Sequence, residues 1–287
     1  MGALQLSLFT IFIWSTLTVL IWHVSRLPPF LSTGVALCIG GLAGLVRARE
    51  WKIPLRTLAL GVGGVFGYHA LLFTAIRVAP PVEVNLLQYL WPLFIVVLTP
   101  VFLPRTSLHT HHVLGALLGL TGAGLVITGG HLSLDLAGLP GYLMAVAAAL
   151  TWACFSLLVK RVPPFGSGAV GAFCLVSGLL SLGLFGLERL AAPAAASMLP
   201  TRAEWLFLVL LGLGPMGLAF YTWDAALKRG DPRVIGALSY LTPLLSTVNL
   251  VLMGGRRLSG ISIAAMGLIV AGAVLGSLDL FRRKTPA

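Results

Sequence analysis

Ten apolar stretches follow one another along this chain, at roughly 4–25, 29–47, 57–77, 81–103, 110–130, 138–159, 165–187, 203–227, 233–254 and 259–280. Each is close to the about 20 residues that cross the hydrocarbon core of a bilayer as a helix. The turns between them are too short to fold into a soluble domain. A β-barrel also satisfies backbone groups in lipid, but it requires apolar/polar alternation, and Val113–Ile127 and Ile261–Leu275 show none. Charged residues make up only 9% of the chain and apolar ones 58%, whereas a soluble domain carries about 25% charged residues. The expectation is an all-α integral membrane protein of ten transmembrane helices.

The net charge of +11 would suggest nucleic acid on a soluble protein. Here its distribution over alternate loops is the informative quantity. With the N-terminus in the cytoplasm, that side holds Arg47, Arg49, Lys52, Arg56, Arg105, Lys160, Arg161, Lys228, Arg229, Arg233, Arg282, Arg283 and Lys284. The outer side then holds Arg26, Arg77, Arg189, Arg202, Arg256 and Arg257. The excess predicts both termini inside and no nucleic-acid partner. The first apolar stretch has no basic leader and is long enough to span, so no cleavable signal is expected. Cys38, Cys154 and Cys174 fall inside predicted spans, where an odd number of thiols reads as packing residues.

Short sequences recur in the two halves. Arg26-Leu-Pro-Pro-Phe30 returns as Arg161-Val-Pro-Pro-Phe165, and Leu60-Gly-Val-Gly-Gly64 as Leu211-Gly-Leu-Gly-Pro215. Tyr89-Leu-Trp-Pro92 matches Tyr240-Leu-Thr-Pro243, and Pro81 matches Pro232. A lengthened external loop at Glu188–Thr201 accounts for the change of offset between these pairs. The chain therefore divides into a first five-helix repeat, 1–132, and a second, 133–287, within one membrane domain. An odd number of spans per repeat inverts the second copy. Inverted repeats are a construction principle of secondary transporters, with the substrate site near the midplane, although channels also contain them.

The polar and aromatic residues concentrate in the first, third, fourth, sixth, eighth and ninth stretches. In the fourth, Asn85, Gln88/Tyr89 and Pro92 share one helical face, and Gly236, Ser239/Tyr240, Pro243 and Thr247 repeat the pattern in the ninth. Such groups are costly in lipid, which predicts that they look inward. Pro92 and Pro243 remove helical hydrogen bonds at matching depths and kink both helices, either as static packing or as gating hinges. Trp14, Tyr68, Tyr89, Trp91, Trp152, Trp223 and Tyr240 lie well inside spans, where each lines a cavity, faces lipid or packs in the core. A cavity they lined would suit a ligand with an apolar or aromatic side chain and a polar head. Trp22, Trp51 and Trp205, near span ends, read as interfacial anchors. The fifth and tenth stretches instead carry Gly115, Gly119, Gly122 and Gly124, and Gly267, Gly272 and Gly276. They read as close-packing elements at the periphery or at a subunit contact, which allows a monomer or a weak dimer through these helices.

Ionisable groups within the spans are few. His69 either meets substrate, carries a proton or is a buried hydrogen-bonded histidine. Glu83 starts the fourth span, and Asp224 precedes Lys228 by one helical turn, the spacing of a local ion pair. His109-Thr-His-His112 has no cysteine or carboxylate nearby in sequence, and no metal site is expected there. The chain has no His-Glu-x-x-His and no P-loop, and Gly166-Ser-Gly168 lacks the rest of a nucleophile elbow. Neither an enzyme nor a cofactor is expected.

Together, the ten short spans, the paired repeats and the Gly- and Pro-bearing fourth-span pattern resemble the drug/metabolite transporter superfamily, in its EamA-type branch. Within that branch Trp14, Tyr68-His69, Gln88-Tyr89-Leu90-Trp91-Pro92 and Trp152 are similar to the aromatic amino acid exporters. The resemblance implies export of aromatic and other neutral amino acids across a bacterial inner membrane, by alternating access around a central cavity. Trp14, Tyr68, Tyr89, Trp91 and Trp152 become its candidate wall, with His69, Asn85, Gln88, Ser239 and Tyr240 beside them. Phosphate- and nucleotide-sugar-carrying relatives use buried Lys or Arg, which the mid-membrane region here lacks. The competing expectations are a drug or other-metabolite carrier of the same fold, and a channel-like pore.

Overall fold

Proline and glycine decide where the helices stop. The computed structural model describes residues 1–132, 135–191, 199–254 and 260–279, and among these the regular structure is helical, without strands. Eight helices are long and apolar enough to cross a membrane: α1 (Ala3–His23), α2 (Pro29–Trp51), α3 (Leu55–Val78), α4 (Pro81–Phe102), α5 (Thr110–Thr128), α6 (Leu136–Leu158), α7 (Ser167–Ala191) and α8 (Arg202–Arg229). Three shorter ones follow, α9 (Pro232–Ser239), α10 (Leu241–Gly254) and α11 (Gly260–Gly276). The protein is thus a multi-pass membrane protein. Leu143, Leu179, Leu206 and Ile263 are exposed on its outer surface, as expected where the surrounding solvent is lipid rather than water. Part of the Glu188–Thr201 loop, and Arg256, Arg257, Arg282, Arg283 and Lys284, lie outside the described residues.

The prolines act locally as their chemistry requires. A proline ring collides with the carbonyl four residues earlier and offers no N–H. Regular α-helix in α4 accordingly halts at Gln88, four residues before Pro92, and resumes at Trp91. Likewise α9 ends at Ser239, four residues before Pro243, and α10 begins at Leu241. The two breaks touch, because the Tyr240 hydroxyl donates to the Tyr89 carbonyl at 3.2 Å.

Neighbours are chosen by shape. Extensive packing joins α1 with α8, α2 with α7, α3 with α6, the second half of α4 with α9, and α5 with α11. In the last pair glycine is obligatory. A Cβ on Gly272 would lie 2.6 Å from both the Gly115 carbonyl oxygen and the Gly119 nitrogen, closer than any side chain can sit. Gly115, Gly119, Gly122, Gly272 and Gly276 are thus occupied within the chain, whereas Gly267 faces open space. Close intrachain packing is thus one use that this stripe serves.

Candidate functional site

Where α1, α3, α4, α6, α8 and α10 meet, they enclose a cavity of about 350 Å³, within the range of small-molecule sites. Its exposed lining residues are Thr18, Ile21, Ile76 and Asn85, toward the end where α1 and α3 finish and α4 begins. Its floor is an aromatic cluster: the Trp14 ring lies 5.9 Å from Trp152, 6.1 Å from Trp91 and 6.3 Å from Phe220. Trp223 continues the stack below, 5.1 Å from Trp14, with its indole N–H bonded to Ser156 Oγ. Edge and tilted contacts of this kind add about 0.5–1.5 kcal/mol per pair beyond burial, so the floor is stiff.

Backbone irregularity orients the wall. Residues Gly214–Leu218 form a π-helical turn in α8, with Pro215 and Met216 facing the cavity. Proline disrupts the regular ladder there, and the Trp14 indole N–H takes up the Pro215 carbonyl at 3.1 Å. π-turns recur at functional sites. On the opposite wall the Tyr68 hydroxyl donates to Gln88 Oε1 at 2.8 Å, and Gln88 Nε2 reaches Asn85 Oδ1 at 3.5 Å. This chain carries polarity from the floor to the mouth. His69 Nδ1 lies 2.7 Å from the Val65 carbonyl; a carbonyl can only accept, so the proton sits on Nδ1 and Nε2 is left as the acceptor. His69 is the one ionisable side chain besides the tyrosines among those lining the cavity.

Of the residues expected from sequence, Trp14, Tyr68, His69, Asn85, Gln88, Tyr89, Trp91 and Trp152 all line this cavity. Ser239 and Tyr240 do not. Both are fully buried; the Ser239 hydroxyl turns back to the Ile235 carbonyl, and Tyr240 packs against α5, with Gly119 leaving room for its ring. The physical reason is the helix break itself. It resets the helical phase, so the face presented beyond it starts at Thr242 and Ser246 rather than continuing from Ser239. Pro92 and Pro243 are likewise absent from the lining, although both sit at breaks.

Sequence reasoning passed over Thr18, Phe73, Met216, Phe220, Thr242 and Ser246, which line the cavity too. The Thr242 hydroxyl is buried and has no hydrogen-bond partner among the described residues, an open position for a ligand's polar group. The available signal was the one-turn spacing of Thr242 and Ser246, which flank Pro243.

At the other end the molecule is closed by charged groups. Lys160 Nζ bonds the carbonyls of Leu227 and Gly230, and Arg233 bonds Asp231 and the Ser107 carbonyl. The expected Asp224–Lys228 pair is formed at 2.7 Å. Two hollows of about 660 and 710 Å³ also lie here, rimmed by Arg105, Lys160 and Arg233 and by Arg47 and Glu50. The first has no aromatic residue in its lining and the second only Tyr221.

The histidine cluster is a correction to the sequence reading, which saw no carboxylate near it. Asp279, far along the chain, brings its carboxylate to 3.1 Å from His111 Nε2 and 3.0 Å from His112 Nε2. These three side chains are close enough to one another to hold a metal. The His109 N–H, however, donates to His112 Nδ1 at 3.1 Å. That nitrogen is therefore an acceptor, the proton of the neutral ring sits on Nε2, and the Nε2 lone pair a metal needs is occupied. The cluster works as built as a hydrogen-bonded tie between α5 and the end of α11.

The EamA-like transporter family model matches residues 1–128 and 139–278. The aromatic amino acid exporter YddG of Ancylobacter novellus is 40% identical over 93% of this chain and 94% of its own. A probable amino-acid metabolite efflux pump of Salmonella typhimurium is 25% identical over 98% and 96%. A solved crystal structure superposes with a TM-score of 0.88 at 38% identity, covering 99% of both chains. A helical membrane protein with a cavity at its helix breaks, matched over nearly its whole length, belongs to the EamA-like transporter family.

Proposed function

We propose that this protein is a secondary transporter of a bacterial inner membrane that exports aromatic and other neutral amino acids. The observation that carries the reading is the cavity: Trp and Tyr faces with uncharged polar groups, and no Lys, Arg, Asp or Glu in its lining. Such a wall holds an apolar or aromatic side chain and offers hydrogen bonds to a zwitterionic head, while leaving an anion without a counter-charge. The names of the two relatives, an aromatic amino acid exporter and an amino-acid metabolite efflux pump, agree with it.

In this reading ten helices form two inverted five-helix repeats, 1–132 and 133–287, with α9 and α10 as the two halves of the ninth span. Several observations support it. The family model matches twice, in segments that divide near the same point. Exchanging the halves turns the α1–α8 contact into α6–α3 and returns the other three helix pairs to themselves. Both fourth-span and ninth-span helices halt four residues before a proline. With both termini cytoplasmic, as the basic residues predict, the cavity faces outward and the charged end is the closed cytoplasmic side. The halves rock about the cavity, with the breaks at Pro92 and Pro243 as hinges.

Trp14, Tyr68, Tyr89, Trp91 and Trp152 hold the side chain of the substrate. His69, Asn85, Gln88 and Thr242 meet its head group. The protein acts as a monomer or as a weak dimer through the Gly-rich helices α5 and α11. Counterflow uptake of labelled phenylalanine and tryptophan into liposomes containing the pure protein tests the reading. Trp14→Ala should lower it about 2–10-fold, the worth of one lost aromatic contact; equal rates for variant and parent would remove the cavity assignment.

A further inference from the structure

Beneath the aromatic floor lies a second, much smaller void of about 10 Å³, lined by apolar side chains such as Val65, Phe155, Val170 and Leu227, and by Asp224. Asp224 is 2% exposed, and its Oδ1 is buried without a hydrogen-bond partner among the described residues. Every bond the carboxylate makes goes to Oδ2: Ser167 Oγ donates at 2.6 Å and Lys228 Nζ at 2.7 Å. Lys228 in turn donates to the Phe165 carbonyl at 2.9 Å and lies over the Phe165 ring. This one carboxylate therefore ties the end of α8 to the start of α7, across the closed end of the molecule.

A buried carboxylate oxygen with no donor is expensive, and the space beside it decides what can relieve it. At about 10 Å³ the void holds at most one water. An amino acid does not fit, and a sodium ion would need several oxygen ligands where one is offered. A proton fits.

We propose that Asp224 is a proton-binding site that unlocks the sealed end of the carrier, so that a proton is bound whenever that end opens. The proposal rests on the transport reading above. The step is a simple acid–base one: a proton from water adds to Oδ1 through an oxygen lone pair, and the carboxyl becomes neutral. Lys228 keeps its charge and loses its counter-ion, and the Ser167 bond loses its charge assistance. The other charged groups around the site are Glu50 and Arg47 at the end of α2, Lys160 in the turn before α7, Arg229 at the end of α8, and Asp231 and Arg233 at the start of α9. α1 and α6, also packed here, bring no charged side chain to this end. Glu50 bonds the Gly168 N–H at 2.7 Å, next to Ser167, and holds the α7 side of the seal when Asp224 lets go.

Two measurements on the full-length protein test this. In detergent, without substrate and at neutral pH, hydrogen–deuterium exchange of peptides covering 165–172 and 224–230 should be about tenfold faster in Asp224→Asn than in the parent, because charge-assisted bonds are lost. Equal protection overturns the proposal whatever the protein transports. In liposomes with a luminal pH dye, adding amino acid to one side only, so that substrate flux is net, should move protons with the parent and none with Asp224→Asn. Should Asp224→Asn fail to fold, Lys228→Met supplies the same test: its unpaired carboxylate takes up a proton more readily, so the pH profile of counterflow shifts to the alkaline side. Proton movement that persists in Asp224→Asn, net substrate flux without proton movement in the parent, or an unshifted Lys228→Met profile overturns the proposal. Absence of amino-acid counterflow in the parent would strike the transport reading instead, and the exchange experiment would still decide on the seal.

Discussion

Tyr89 and Tyr240 occupy matching places in the two halves and have opposite environments. Tyr89 lines the cavity, whereas Tyr240 is fully buried and spends its hydroxyl on the Tyr89 carbonyl. The difference sets two expectations. Tyr89→Ala should lower phenylalanine counterflow about 2–10-fold by removing an aromatic contact. Tyr240→Phe should lower the thermal midpoint by a few degrees, from one lost hydrogen bond of about 1 kcal/mol, and leave the KM for substrate unchanged. Thr242 separates binding from stability the other way. Its hydroxyl is buried and unpartnered, so Thr242→Val should keep or raise the thermal midpoint while raising KM. A variant that lost stability and kept KM would remove Thr242 from the site. These residues also mark how far sequence reaches. The inward-facing pattern of Asn85, Gln88 and Tyr89 was legible because helical periodicity runs unbroken from Pro81 to Gln88. Ser239 and Tyr240 carried the same pattern, but in the second half the cavity face begins only after the break, a change of phase that periodicity alone does not encode.

At the scale of helices, small residues and prolines were strong signals because their physics is local. Pro92 and Pro243 place the breaks wherever the surrounding fold puts them, and Gly115 and Gly272 permit a backbone approach that no larger residue allows. Gly272→Leu should therefore cost about 1–3 kcal/mol by overpacking, read as a lowered midpoint in a thermal melt; an unchanged midpoint would contradict the α5–α11 contact. The tie between these helices was invisible in sequence, since Asp279 and His112 are far apart along the chain. Burial raises the Asp279 carboxyl, but His112, His111 and Arg233 outweigh it and hold it below the ordinary carboxylate range. A carboxylate depressed in the folded state stabilises above its unfolded pKa of about 3.9 and loses that contribution as pH falls through the lower folded value. The melting-temperature gap between the parent and Asp279→Asn should accordingly not shrink between about pH 8 and 5, and should close only below about pH 4. A gap that closes near neutrality would mean that the histidines, and not Asp279, govern the tie.

For the whole molecule, the low content of charge is the fact that joins fold to function. The same scarcity that commits the chain to the bilayer leaves the cavity walled by Trp, Tyr, Gln and Asn, with the charged groups gathered at the closed end around Lys160, Asp224, Lys228 and Arg233. In the proposed reading of two inverted halves, helix pairing between them gives the frame two equivalent ways to pack, which is what alternating exposure of one site requires. The central claim is that this uncharged aromatic cavity carries neutral amino acids. Counterflow of a labelled substrate panel into liposomes containing the pure protein tests it most directly. Phenylalanine, tyrosine and tryptophan should accumulate, smaller neutral amino acids more slowly, and glutamate or a phosphorylated metabolite not at all. Accumulation of the anions, or no accumulation of any aromatic amino acid, would contradict it.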